Sequence, residues 1–298
     1  MDLPRQLGPY RLVRRLGRGG MADVFVAHSF GASGFQRAVA LKVLRPEHVG
    51  DGELERLLIE EARLGARLYH RNLVGVHDLG CEDGVYYVAM DWVDGADLRA
   101  LLPLAAPLAA HVMAEVALAL AYVHAAADDA GRPLGLVHRD VSPKNILVSR
   151  SGEVKLGDFG VAKATMLADT TRANIRKGTY AYMSPEQVAR APIGAASDQF
   201  AAGVTLFELV TGRRPYEGAS PLQTTDLILA AAPPDVSALP PQLAAITLRC
   251  LQQGPAARFP SAAALHVALI EAGRTLPAAG PLELATRVAL SAGSAPAS

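Results

Sequence analysis

The sequence predicts an α+β chain with two parts: a small antiparallel β-sheet lobe holding one helix, then a larger, mainly helical lobe. Three observations predict it. The first ninety residues are short apolar runs split by glycines and polar turns, "YRLVRRLG", "ADVFVAHSF", "RAVALKVL", "LVGVHDLG" and "VYYVAMDWV", which read as five strands. One stretch breaks that pattern. In "ELERLLIEEARLGARLY", residues 53–69, Leu54, Leu57, Leu58, Glu61, Leu64 and Leu68 recur at spacings of three and four, the face of a helix. After Gly95 the apolar segments lengthen into helices, as in "DQFAAGVTLFELVTG", "QLAAITLRCL" and "SAAALHVALIEAG".

These shifts divide the chain into a leader at 1–9, a sheet lobe at 10–94, a helical lobe at 95–273 and an Ala/Pro-rich tail at 274–298. The tail's composition predicts a flexible segment. Most of the polar motifs fall in a loop-rich stretch at about 128–197.

Composition excludes several classes. Lys plus Arg (29) balance Asp plus Glu (29) in 298 residues, so the basic excess that nucleic acid demands is missing and no nucleic-acid partner is expected. Cys81 and Cys250 are isolated, without metal-ligand or disulfide spacing, and read as ordinary thiols of a reducing compartment. The N-terminus carries no secretory apolar run. The apolar region 100–127 is broken by Pro103, Pro107, His111, Glu115 and His124, short of the roughly 18 apolar residues of a membrane span. A cytoplasmic protein is expected, leaving open an anchor outside this chain.

Several motifs carry chemistry. "LGRGGMADVFVA" places Gly17, Gly19 and Gly20 between two strands, where backbone without side chains can approach a phosphate. No Gly-Lys-Ser/Thr follows, which excludes a Walker loop, and a strand follows where a dinucleotide fold needs a helix. Lys42 lies inside an apolar strand, either snorkelling to an edge or fixing nucleotide phosphates. In the second case it needs a partner, Glu61 on the leucine face or, failing that, Glu60. "HRDVSPKN", residues 138–145, and "LGDFG", residues 156–160, supply acidic and amide oxygens of the kind magnesium prefers. Asp198 in "SDQF" stands where a helix N-cap is expected. Arg258 in "PAARFPS" is a candidate partner for Glu186.

In order and spacing, these motifs resemble the protein kinases, and specifically the eukaryotic-like Ser/Thr kinases of bacteria. The resemblance covers about Tyr10 to Gly273 and joins the glycine-rich loop, "VALK", the helix glutamate, "HRD…N", "DFG" and "SPE". It implies a two-lobed protein-kinase fold and transfer of the ATP γ-phosphoryl group to Ser/Thr hydroxyls of protein substrates, with Mg2+ or Mn2+. Asp140 would orient the acceptor hydroxyl and take its proton. Asn145 and Asp158 would hold the metal, and Lys42, paired with Glu61, the phosphates. Leu16, Gly17, Arg18, Gly19, Gly20, Met21 and Ala22 would cover the nucleotide. Val24, Ala40 and Leu147 would sandwich adenine against the linker Met90, Asp91 and Val93. His138 would be structural, packing under Phe159. Thr170 or Thr171 would be phosphorylated opposite Arg139, with a homodimer as the partner for autophosphorylation, and Thr179 would line the acceptor pocket.

Three departures from the family pattern stand out. Ala22 replaces a glycine. Gly65 sits one turn after Glu61, where family members carry a larger apolar side chain, so a loosely held helix is expected. Ser142 replaces a lysine two residues after the catalytic aspartate. Lys144, four residues after Asp140, is expected to supply that cation, with Ser142 facing Thr179. Competing readings are a pseudokinase scaffold, which usually loses one of the residues kept here, and a small-molecule phosphotransferase, which normally lacks the "GTxxYMSPE" segment.

Overall fold

In the segment "AVALKVL", alternate residues serve opposite faces of one strand. Val39, Leu41 and Val43 enter one apolar cluster, and Leu44 enters the other. Every residue from Val39 to Leu44 is buried, which is why this strand reads as a continuous apolar run. The computed structural model describes residues 3–159 and 180–293. Strands β1 (Arg5–Leu7), β2 (Tyr10–Arg18), β3 (Ala22–Phe30), β4 (Gln36–Leu44), β5 (Val76–Glu82) and β6 (Val85–Asp91) form one sheet in the order β1-β2-β3-β4-β6-β5. All its pairs are antiparallel. The sheet has six strands, one more than the five expected. Residues 5–7 of the expected leader join it as β1, because Leu7 and Tyr10 fill one face beside Leu12, Phe25 and Tyr87.

Helix α1 (Gly52–Gly65) covers the opposite face with Leu54, Leu57, Leu58 and Ala62, over Ala22, Leu44 and Val88. Asp51 caps it, its carboxylate accepting from the amides of Glu53 and Leu54. The helix stops at Gly65, short of the expected Tyr69. The place of a side chain at Gly65 is already taken: a Cβ there would lie 2.5 Å from Cγ2 of Val76. The expected gap is filled from strand β5, so the glycine lets α1 approach the sheet closely.

Among the described residues, the second compact unit holds 94–158 and 180–293, and also His70–Leu73. This four-residue stretch departs from the expected 10–94 boundary for a local reason. The carbonyl of Asn72 accepts from the Leu156 amide, and the Asn72 amide group donates to Glu115 and to the Val154 carbonyl. The unit contains a three-stranded sheet, β7 (Gly95–Asp97), β8 (Ile146–Ser149) and β9 (Val154–Leu156), in that order. Its helices are α2 (Ala106–His124), α3 (Pro185–Val188), α4 (Ala195–Thr211), α5 (Pro221–Ala230), α6 (Pro241–Cys250), α7 (Ala262–Arg274) and α8 (Pro281–Gly293).

Helix α2 is long and apolar enough by length and composition to cross a membrane, against the sequence expectation. Here it is a core helix, packed on α4 and α7, with Val112, Val116 and Leu120 fully buried. The tail is a second correction. Residues 281–293 form α8, which buries Leu284 and Val288, one turn apart. The Arg287 guanidinium donates to the carbonyls of Leu101 and Pro103.

Candidate active site

The first unit carries the residues expected at the nucleotide. Val24 pairs with Lys42 across β3 and β4, and Ala40 with Met90 across β4 and β6. Strand alternation therefore puts Val24, Ala40, Lys42 and Met90 on one sheet face, the face that α1 covers. The Lys42 ammonium lies 2.6 Å from the Glu61 carboxylate, with both side chains nearly buried (11% and 12% exposed). Glu60, the other candidate, points to solvent and pairs with Arg56 at 3.1 Å. The two glutamates sit 100° apart on the helix, and the buried leucine stripe decides which one faces Lys42.

Leu16, Gly17 and Arg18 end β2. The glycine-rich turn closes through the Gly19 amide, which donates to the Ala22 carbonyl at 2.8 Å. A Cβ on Gly19 would come within 2.5 Å of that same oxygen, so the position requires glycine. Met21 and Ala22 bury their side chains in the cluster beneath α1. At these two positions only backbone remains to meet a ligand, and the methyl group at Ala22 is a core contact. Asp91 ends β6, its carboxylate accepting from the Gly75 amide and contacting His77 at 2.8 Å. Val93 follows in the linker, half-buried.

The second unit holds the catalytic-loop candidates. His138 is fully buried, and burial lowers its pKa below the ordinary histidine value, favouring the neutral ring. Arg139 adopts a left-handed backbone conformation (φ 69°), which turns the chain into the loop. Asp198 of α4 holds that turn: its carboxylate accepts from the amides of His138 and Arg139, both at 2.8 Å, and meets His124 Nε2 at 2.8 Å. The N-cap expectation for Asp198 is thereby corrected, since α4 starts earlier and is capped at Gly194. The available signal was an acidic residue inside an apolar helix, which has to find donors once buried.

Asp140 is buried (7% exposed). The Asn145 side-chain amide nitrogen donates to the Asp140 backbone carbonyl at 2.8 Å, and the Asn145 backbone carbonyl accepts from the Gly157 amide. Asp158, next to Gly157, is exposed with φ 55°. A one-turn helix, Pro143–Asn145, carries Lys144, whose ammonium lies 3.3 Å from the Asp140 carboxylate. Ser142 is buried, and its hydroxyl has no hydrogen-bond partner among the described residues. Leu147 is half-buried on β8. Thr170, Thr171 and Thr179 lie outside the described residues.

The Glu186–Arg258 pairing is present as a buried two-pronged ion pair, at 2.7 and 2.9 Å. Ser197 donates to the same carboxylate at 2.7 Å. Burial opposes the ionisation of Glu186, but Arg258, Ser197 and its own amide outweigh burial and hold its pKa below the ordinary range. A metal ion fits the donor set. Asp158 offers a carboxylate and Asn145 a side-chain carbonyl, its amide nitrogen being committed to Asp140; magnesium needs no more from protein when phosphates and water supply the rest.

Known proteins match this arrangement. The protein kinase domain model matches residues 10–270. The tyrosine-protein kinase MasK of Myxococcus xanthus is 38% identical over 90% of the chain and 44% of its own length. The serine/threonine-protein kinase PrkC of Bacillus subtilis is 34% identical over 86% of the chain and 39% of its own length. The chain thus spans less than half the length of these curated relatives. A crystal structure of the Mycobacterium tuberculosis PknI kinase domain superposes with a TM-score of 0.68 and 30% identity, covering 93% of this chain and 100% of that one. With the family model matched over residues 10–270 and a relative 38% identical over 90% of the chain, the chain belongs to the protein kinase family.

Proposed function

We propose that the chain is an active serine/threonine protein kinase, and the observation that carries this reading is the buried Lys42–Glu61 ion pair. Burying an ion pair is seldom a gain in stability over apolar packing. Its retention in an apolar strand and helix fits a functional cation for nucleotide phosphates. In the reaction, the oxygen of a substrate Ser or Thr hydroxyl attacks the ATP γ-phosphorus. The bond from that phosphorus to the β,γ-bridging oxygen breaks, ADP leaves, and the hydroxyl proton passes to the Asp140 carboxylate. Lys42 binds the α- and β-phosphates. Asn145 and Asp158 would hold Mg2+ (or Mn2+), which neutralises phosphate charge when bound. Lys144 stands beside Asp140 as the cation for the γ-phosphoryl group, in place of the lysine absent at position 142. Positioning and charge account for most of the rate in such chemistry.

The backbone of Met90, Asp91 and Val93 would read adenine, with Val24, Ala40 and Leu147 against its faces. Thr170 or Thr171 would be autophosphorylated, one copy of the chain acting on another. The ATP requirement and the free, exposed thiol of Cys81 fit a cytoplasmic setting. Retention of Lys42, Asp140, Asn145 and Asp158 favours catalysis over a pseudokinase scaffold.

One assay tests the reading: the purified chain, phosphatase-treated or not, with labelled ATP and magnesium beside an Asp140→Asn variant. Label on threonine or serine in the wild type, lost in the variant, is expected. Silence of both despite nucleotide binding would favour the scaffold. MasK carries a tyrosine-kinase name, so label found on tyrosine would reassign the acceptor class.

A further inference from the structure

The tip of the glycine-rich loop is gripped from behind. Arg45, the first residue after β4, donates from Nη1 to the carbonyls of Gly20 (3.0 Å) and Gly19 (3.4 Å). Its backbone amide donates to the Met21 carbonyl at 3.0 Å. His48, on the short turn Pro46–His48, reaches the same Gly20 carbonyl at 3.2 Å through Nε2. The guanidinium is itself held by Glu47, and Glu47 in turn lies 3.6 Å from Arg18 of β2. The Arg45 side chain is only 16% exposed, so this is a packed contact.

In a trans peptide the carbonyl and the following N–H point in opposite directions. The bonds joining Gly19 to Gly20 and Gly20 to Met21 are trans, the cis bonds among the described residues being the two that precede Pro4 and Pro103. Carbonyls of Gly19 and Gly20 drawn toward Arg45 therefore turn the amides of Gly20 and Met21 the other way. Two successive amides facing outward together make an anion-binding concavity. A guanidinium behind the carbonyls also polarises those peptide groups, strengthening the N–H donors on the far side. Without such a hold, two adjacent glycines would sample many orientations.

We infer that Arg45, assisted by His48, is a positioning residue for nucleotide phosphate: it orients the peptide planes of the glycine-rich loop so that the Gly20 and Met21 amides face the phosphates. The inference rests on the kinase reading for its ligand. The loop geometry is independent of that reading.

The test compares the full chain with Arg45→Ala and Arg45→Lys by calorimetry, with Mg-ATP and with adenosine as separate probes. Losing a charge-assisted contact predicts ATP binding weakened about tenfold in Arg45→Ala. Adenosine, which has no phosphate, should bind as it does to the wild type. Arg45→Lys should recover part of the ATP loss. Equal weakening for both probes, or no change for either, overturns the inference. Amide 15N relaxation in the nucleotide-free chain gives a second measurement. Order parameters of Gly20 and Met21 should fall in Arg45→Ala while that of Val26 in β3 stays constant; unchanged values at Gly20 and Met21 overturn it. If the wild type binds neither probe, the kinase reading fails and the relaxation data alone decide the clamp.

Discussion

The Lys144 ammonium stands 3.3 Å from the Asp140 carboxylate, one turn further along the chain. Ser142, which occupies the place where family members carry a lysine, is buried. Lys144 is 41% exposed, so its ammonium is open to a ligand. The proposed relocation of this cation leads to the first prediction. Lys144→Ala should lower kcat about 10²–10³-fold, the cost of removing one preorganised charge contact to a transferring group, with KM for ATP little changed. Steady-state kinetics on a peptide substrate checks it, and a loss no larger than that of a surface variant such as Arg274→Ala, at an exposed position, would refute the role.

Glu61 and Glu60 are adjacent in sequence and separate in environment, one buried against Lys42 and the other exposed beside Arg56. Glu61→Ala should lower kcat/KM for ATP by roughly 10²-fold, because Lys42 then loses the partner that orients it. Glu60→Ala removes only an exposed i,i+4 pair with Arg56 and should stay within about 0.5 kcal/mol of wild-type stability with unchanged kinetics. Similar kinetic losses in both variants would contradict the assignment.

The close contact of α1 with β5 predicts a paired effect. Gly65→Ala puts a methyl against the stiff β-branched Val76 and should destabilise the chain by about 1–3 kcal/mol through overpacking. Adding Val76→Ala should restore much of the loss. Denaturant titration of the two single variants and the double variant measures the coupling; simple additivity would argue against it.

Arg258 bonds both Glu186 oxygens inside the helical unit. Arg258→Ala leaves a buried carboxylate without its counter-charge and should cost about 3–5 kcal/mol, read as a lowered Tm. The pair also sets a pH dependence. Glu186 has a folded pKa below its unfolded value of 4.5, so its contribution is complete above about 4.5 and is lost as pH falls toward the folded value. His138 acts in the same direction from a higher pH. Its folded pKa lies below 6.5, so protonation favours the unfolded chain progressively below 6.5. Stability should therefore fall continuously on acidification from neutral pH. His138→Phe should flatten the upper part of that slope, which melting curves at a series of pH values would show.

Much of this protein was legible in its residues because the signals are local. Strand alternation in "AVALKVL", the leucine spacing of α1, and the order of the glycine loop, Lys42, Asp140, Asn145 and Asp158 need only neighbouring residues to be read. Other features depend on partners far along the chain. Glu61 rather than Glu60 faces Lys42 because the leucine stripe docks on the sheet. Asp198 serves two amides some sixty residues earlier, so its helix position alone suggested a cap. Arg45 reaches back to Gly19 and Gly20 only because β3 and β4 pair in register. The clearest divide lies at residues 281–293: their Ala-rich composition pointed to a flexible tail, since a short isolated helix is marginal in water. Burial of Leu284 and Val288 and the Arg287 contacts to Leu101 and Pro103 supply the packing that holds the helix. Sequence by itself determined the family and proposed the residues of its chemistry. Tertiary structure decided which neighbours orient them, because helix phase, strand register and distant hydrogen-bond donors exist only once the chain is folded.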